Sequence, residues 1–318
     1  MKKISLFLFL FLLFFYTQGQ KRSVDYKTSL TGFVASQNTL PFWAINNKHG
    51  LIPNGHGALL EVGLFSDFTN RHKIQFAYGV SVAGFLSRPD NHLILDQLYA
   101  RARWRNLRLD LGMIHPAEEY QGISSTNGNF IRSGNARTFP GYNLNSEYMK
   151  IPCTQGILSI KFNWADYMMI DDRYVKDTRL HNKSVFLKIK PHQRWEIIVG
   201  LEHWAQWAGT SPDKGKQPSS FHDYLRIICA KEGGIGASVS DSINALGNHL
   251  GREHLAINYL ADNYTLSFYH DIPFEDGSGT DFRSFPDGTY CFYYGSKKKD
   301  HGHYLRILLH EISIRLPA

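Results

Sequence analysis

The run "GLEHWAQWAG", residues 200–209, brings a carboxylate, an imidazole and two indoles together as Glu202, His203, Trp204 and Trp207. An indole face suits the C–H side of a pyranose ring, and a carboxylate or imidazole suits its hydroxyls. This set therefore has the make-up of a carbohydrate-binding surface. On an extended chain Glu202 and Trp204 share one face and His203 takes the other. A structural reading fits the same residues, with the tryptophans in an interfacial belt and Glu202 lining an interior. A second group lies in "LYARARWRNLRLDLGM", residues 98–113, where Arg101, Arg103 and Arg105 share one parity and Arg108 joins them after a turn. Guanidinium forks match uronate carboxylates and phosphates, and they equally match neighbouring acids such as Asp96 or Asp110.

Other clusters point less directly to chemistry. "DDRYVKDTRLHNKS" carries Asp171, Asp172, Arg173, Asp177, Arg179 and His181. Paired carboxylates serve glycoside hydrolysis at separations of roughly 5–9.5 Å, but turn formation accounts for the same residues in a loop. Asp300, His301 and His303 in "DHGHY" have metal-ligand character without a full ligand set. The chain has no nucleophile elbow, zinc-protease helix or phosphate-cradling glycine loop, so a non-enzymatic protein without a cofactor is expected. Cys153, Cys229 and Cys291 form an odd set that allows at most one bridge, so no disulfide framework holds the fold.

The elements that position these residues are strands. In "KIQFAYGVSVAGFL", residues 73–86, Ile74, Phe76, Tyr78, Val80 and Val82 alternate with small or polar residues. The same two-residue period places Leu158, Ile160, Phe162 and Trp164 on one face, and later Trp195, Ile197, Val199 and Leu201. Two hairpins are predicted, one turning at Arg105–Asn106 and one at Asp262–Asn263. Roughly a dozen strands emerge, with little of helical period. Polar, Gly- and Asn-rich stretches after Tyr120, Ala208 and Phe274 read as long loops.

Two architectures use such strands: a soluble sandwich, and a transmembrane barrel whose apolar face meets lipid. A bilayer needs about 9–11 tilted residues per strand, against roughly 5–6 in ordinary globular strands, and the longest runs reach the former. The expectation is an all-β protein, an antiparallel transmembrane β-barrel with a small N-terminal periplasmic or plug segment. Residues 1–19 read as a cleaved signal peptide, with Lys2 and Lys3 before an apolar core and Thr17 and Gly19 near the cleavage point. Residues 20–55 read as the N-terminal segment and 56–318 as the barrel. The formal charge of +7 falls to +5 without the two leader lysines. Export argues against nucleic acid as a partner, while a modestly basic surface suits acidic polysaccharide or phosphate.

Several stretches carry a family likeness in consistent order: "LPFWAINNKHGLIP", "SGNARTFPGYNL", "IPCTQGILSIKFNWADYMMIDDRYVKDTRLHNKSVFLKI", "GLEHWAQWAG" and "ALGNHLG". Together they resemble the Wzi-like capsule assembly proteins of Gram-negative bacteria. That resemblance implies a closed outer-membrane barrel acting as a lectin that attaches capsular polysaccharide. It implies capsular or related surface polysaccharide, outer-membrane lipid and the barrel-insertion machinery as partners. The chain shows fewer strands than that family's barrels and ends "EISIRLPA" without a terminal aromatic, so an abbreviated or truncated member is expected.

The functional expectation is thus a polysaccharide-holding protein of the cell outer membrane, with Glu202, His203, Trp204, Trp207, Arg101 and Arg103 as candidate contacts. The alternative is a porin-like channel for small polar solutes lined by the arginine parity, and a third reading is a surface hydrolase. "FWAINNKHG" is expected to pack into or beneath the lumen and occlude it.

Overall fold

The computed structural model describes residues 24–35, 39–52, 55–69, 74–86, 91–234, 244–275, 284–300 and 303–314. The predicted signal peptide and His301 lie outside them. One antiparallel sheet dominates the chain. Its strands are β1 (Val24–Phe33), β2 (Gly57–Ser66), β3 (Ile74–Leu86), β4 (Asn91–Trp104), β5 (Leu107–Met113), β6 (Gly141–Ser146), β7 (Met149–Lys150), β8 (Leu158–Met168), β9 (Arg179–His192) and β10 (Trp195–Trp207). After a small separate ribbon of β11 (Thr210–Ser211) and β12 (Gly215–Lys216), the sheet resumes with β13 (Asn248–Leu260), β14 (Tyr264–Phe274), β15 (Gly288–Asp300) and β16 (His303–Ile314). Each strand pairs with its sequence neighbours in an unbroken meander, the short β7 sitting off the path against β8. The molecule is therefore all-β and antiparallel, with strands of 11–14 residues through β8, β9, β10, β13 and β14. Among the described residues β1 and β16 are the two ends of the path.

The two-residue period sorts side chains as the sequence predicts. On β3, Ile74, Val80, Val82 and Leu86 are exposed on one parity, while Ala77, Ser81 and Ala83 are buried on the other. The pairs Val80–Leu98 and Leu111–Tyr142 continue the outer apolar face across neighbouring strands. The inner parity is polar: Ser81, Asp96, Asp110 and Asn145 are all buried there. An outer belt of exposed aliphatics over a polar interior is the reverse of a soluble globule and the pattern of a barrel wall.

The two ends of the wall differ. One end turns tightly, at Arg105–Asn106 between β4 and β5 and at Gln193–Arg194 between β9 and β10. Arg105 takes a left-handed φ of 53° there and rests its guanidinium over the Trp104 ring. Trp104, Trp195, Tyr259 and Tyr264 line this end, with Trp195 and Tyr259 rings 5.0 Å apart and Tyr259 and Tyr264 6.3 Å apart. Such a row matches the aromatic girdle of a membrane interface. The other end carries the long connections, residues 114–140, 169–178 and 208–247.

Residues 114–140 fold into the interior and show that the sheet is rolled. Thr138 Oγ1 donates to the Asp96 carbonyl on β4 at 2.6 Å, while Asn129 Nδ2 donates to Glu202 on β10 at 2.9 Å. The Tyr120 ring lies 5.2 Å from Tyr269 on β14 and 5.3 Å from Tyr293 on β15. One segment can touch β4 and β15 together only if the wall curls around it.

Residues 20–55 depart from the sequence reading. Val24–Phe33, assigned there to the N-terminal segment, pairs with β2 over its full length, from Val24–Ser66 to Phe33–Gly57. Its alternation is weak because both faces are polar or exposed, as in "DYKTS", so periodicity alone does not reveal it. Residues 39–52 lie at the long-connection end and include one helical turn, α1 (Phe42–Ile45).

Candidate lumen site

The centre of the interior is an ionic network built from three strands. Arg252 on β13 donates from Nε to Glu202 Oε2 at 2.9 Å and from Nη1 to Asp271 Oδ2 on β14 at 2.7 Å. All three side chains are buried. Cross-strand register brings them together, since Glu202 faces Arg252 and Arg252 faces Pro273, next but one to Asp271. The remaining valences hold the inlaid segment: Arg252 Nη1 also donates to the Gly128 carbonyl at 2.8 Å, and Asn129 donates to Glu202. Trp204 Nε1 donates to Glu202 Oε1 at 2.7 Å, and His254 Nδ1 lies 2.6 Å from Asp271 Oδ1.

Towards the long-connection end, a cavity of about 220 Å³ opens between the inlaid segment and the wall. Arg132, Arg137 and Phe139 line it from the segment; Tyr167, Trp204, Gln206 and Asn248 line it from the strands. The Tyr167 and Trp204 rings stack at 6.2 Å and 16°, and the Arg132 guanidinium sits 5.9 Å from the Trp204 ring. Arg137 Nε is buried without a hydrogen-bond partner among the described residues. Two guanidinium groups thus share a cavity whose lining contains no acidic side chain.

The arginine parity lies inside, as its alternation requires. Arg101 Nε donates to Asp110 Oδ1 at 2.8 Å, Arg108 Nε to Asp110 Oδ2 at 3.1 Å, and Arg103 Nη2 to Gln75 Oε1 at 2.6 Å. Arg101 and Arg108 thus share one carboxylate, which Asn145 also bonds at 3.2 Å, and the group keeps a net positive charge. Asp96 has other partners: Ser81 Oγ donates to it at 3.0 Å, and His115 Nε2 lies 2.8 Å away.

The segment 39–52 closes on the inlaid segment. Asn47 Nδ2 donates to the Ser124 carbonyl, Asn46 Nδ2 to the Ser125 carbonyl at 3.3 Å, and His49 N to the Gly134 carbonyl at 2.9 Å. Gly134 is required by this approach, because a Cβ there would fall 2.1 Å from Asn47 Oδ1. The His49 ring stacks on His115 at 3.6 Å. Burial, reinforced by the neighbouring His115, lowers the His49 pKa to about 4.

The predicted carbohydrate set is split by the wall. Glu202 and Trp204 point into the lumen, whereas His203 and Trp207 lie on the outer parity, where His203 Nε2 is 2.8 Å from His249 Nδ1. Glu202 already accepts from Trp204, Arg252 and Asn129 in a buried setting, so three of its roughly four acceptor sites are taken within the protein. Asp171 and Asp172 sit in an exposed loop bonded to Arg173 and Lys176 respectively, and the Arg173 bond holds the Asp171 carboxyl below its usual range. None of the three cysteines forms a disulfide among the described residues, Cys153 and Cys229 being exposed and Cys291 buried. Sequence reasoning missed Arg132, Arg137, Arg252 and Asp271. The first two lie in a loop quoted only for its turn residues; the last two become neighbours of Glu202 only through register.

No protein-family model matches the sequence, and no curated protein does. Among solved structures the chain is similar to three Pseudomonas aeruginosa outer-membrane porins. OccK2 (OpdF) is 12% identical at a TM-score of 0.32, covering 86% of this chain and 74% of that one. OpdK with vanillate is 9% identical at 0.30, covering 86% and 75%. OccD3 (OpdP) is 10% identical at 0.31, covering 77% of this chain and 63% of that one, so the chain spans less than two thirds of OccD3. The Wzi-like resemblance finds no counterpart here. The expectation of a capsule-polysaccharide lectin is corrected: the sugar contacts it named are divided between two faces of the wall, and Glu202 is bonded to Trp204, Arg252 and Asn129 inside. What stands from the sequence is an all-β antiparallel wall with a polar interior.

Proposed function

We propose that the chain is a porin-like channel of the outer membrane that admits small polar solutes, with a preference for anions. The supporting observation is the cavity beside Trp204. Two guanidinium groups, Arg132 and Arg137, line it with no acidic side chain in the lining, on the inner face of a wall whose outer face is aliphatic. Arg101 and Arg108 share the single carboxylate of Asp110 and Arg103 bonds neutral Gln75, so these arginines add to the positive potential of the interior that Arg132 and Arg137 set at the cavity. The inlaid segment narrows the lumen, which sets the size of solute admitted and keeps the pore small.

Liposome swelling tests this reading. Reconstituted protein is expected to admit small organic anions faster than neutral sugars of similar size. The double variant Arg132→Gln, Arg137→Gln is expected to remove most of that difference, several-fold at low ionic strength and less at high salt. Equal uptake of anions and neutral solutes by the unaltered protein would overturn the anion preference.

A further inference from the structure

The outer face of the wall is not uniformly apolar, and the helix α2 (Phe221–Ile228) lies where it fails. On β3 the outward parity stays apolar or glycine from Ile74 at the tight-turn end to Leu86, twelve residues on. At ~3.3 Å per residue and a tilt of ~40°, that run spans roughly 30 Å of membrane normal. On β10 the outward apolar run starts at Trp195 and ends at Leu201, six residues on, or roughly 15 Å by the same measure. The next outward residue is His203, and at or next to its level on neighbouring strands stand Lys183, His181 and His249, with Asp166 beside His181. A lipid-facing belt is about 25 Å tall, so these polar groups fall inside it.

α2 covers them. Ile227 is wholly buried against Ala205, Trp207 and Leu246. Tyr224 Oη donates to Asp166 Oδ2 at 2.7 Å, and its ring meets His181 edge-on at 5.5 Å. Lys183 Nζ donates to the Ile228 carbonyl at the end of the helix, and His249 Nε2 lies 2.8 Å from the Leu246 carbonyl. Ser220 and Asp223 form a reciprocal capping box that fixes where the helix starts. Turned away from the wall are Phe221, 75% exposed, and Leu225, 44% exposed, four residues apart on one helical face.

We propose that α2 completes the lipid-facing belt: it lies along the outside of the wall at the membrane interface, shields the polar patch, and presents Phe221 and Leu225 to acyl chains. The occupant of that face is lipid. The assignment follows from continuity with the belt, since Leu201 and Val199 face outward immediately below the helix on the same strand. The inference rests on the membrane reading above. An unshielded patch holding Asp166, Lys183 and several histidines would be strongly unfavourable in hydrocarbon.

Depth-resolved quenching separates the two claims. In a Cys153→Ser, Cys229→Ser background, Leu225→Cys and, separately, Val199→Cys are labelled with an environment-sensitive fluorophore and reconstituted with lipids brominated at shallow or deep acyl positions. Label at 225 is expected to be quenched most by shallow bromines, and label at 199 by deep ones. If 225 escapes every brominated lipid and is quenched by aqueous iodide while 199 is quenched by lipid, the proposal for α2 is overturned and the barrel stands. If neither site is quenched by lipid, the membrane reading falls and α2's role with it.

Discussion

At the residue scale, Arg252 is the side chain on which the interior depends. It bridges Glu202 and Asp271 and holds the Gly128 carbonyl, all in a buried setting. Removing one member of such a group strands the others as uncompensated charges. Arg252→Ala is therefore expected to cost about 3–5 kcal/mol, read as a lower unfolding temperature of the refolded protein in detergent. The triple replacement Glu202→Gln, Arg252→Met, Asp271→Asn is expected to recover most of that loss, since no lone charge is left. Parity made part of this legible: alternation in "GLEHWAQW" already sets Glu202 and Trp204 apart from His203. The network itself was not legible, because Glu202 and Arg252 are joined by strand register across fifty residues, and local period carries no register.

At the element scale, the tight turns and long connections were readable from turn chemistry, whereas β1 and α2 were not. Polar residues on both faces of Val24–Phe33 hide its pairing. The helix follows a loop-like stretch, and its one clear signal is Ser220 three residues before Asp223, a capping pattern ahead of an apolar run. The docking of residues 39–52 onto the inlaid segment is expected to depend on pH. His49 titrates near 6.5 when released and near 4 when docked, where it faces His115, Asp96, Lys27 and Glu61. The released state thus binds more protons below pH 6.5, and docking weakens as pH falls from about 6.5 towards 4, then levels off. Hydrogen-exchange protection at the His49 amide, which donates to Gly134, is expected to drop across that window by at most about tenfold per pH unit. His49→Phe keeps a stacking ring and is expected to flatten the profile. Unchanged protection down to pH 4 in the unaltered chain would remove the histidine stack as the cause.

At the scale of the whole molecule, one antiparallel meander sets its aliphatic side against lipid and rolls its polar side around residues 114–140. The bulk mean hydropathy of −0.31 gives no hint of this, because polar lumen and loop residues dilute the outer belt in any average. Long alternating strands did disclose it, since only a wall exposed on its apolar face needs so many of membrane length. The resemblance pointed to the same wall but to a different task; the channel reading is supported by the cavity that Arg132 and Arg137 line beside Trp204, while Glu202 is bonded within the network and His203 and Trp207 lie on the outer parity. Single-channel recording of the purified chain in planar bilayers tests this most directly. A channel of this kind is expected to give small, discrete, ohmic current steps with a reversal potential shifted towards that of chloride in a salt gradient. A chain that stays monodisperse in buffer without detergent and passes no current on addition to the bilayer would contradict it.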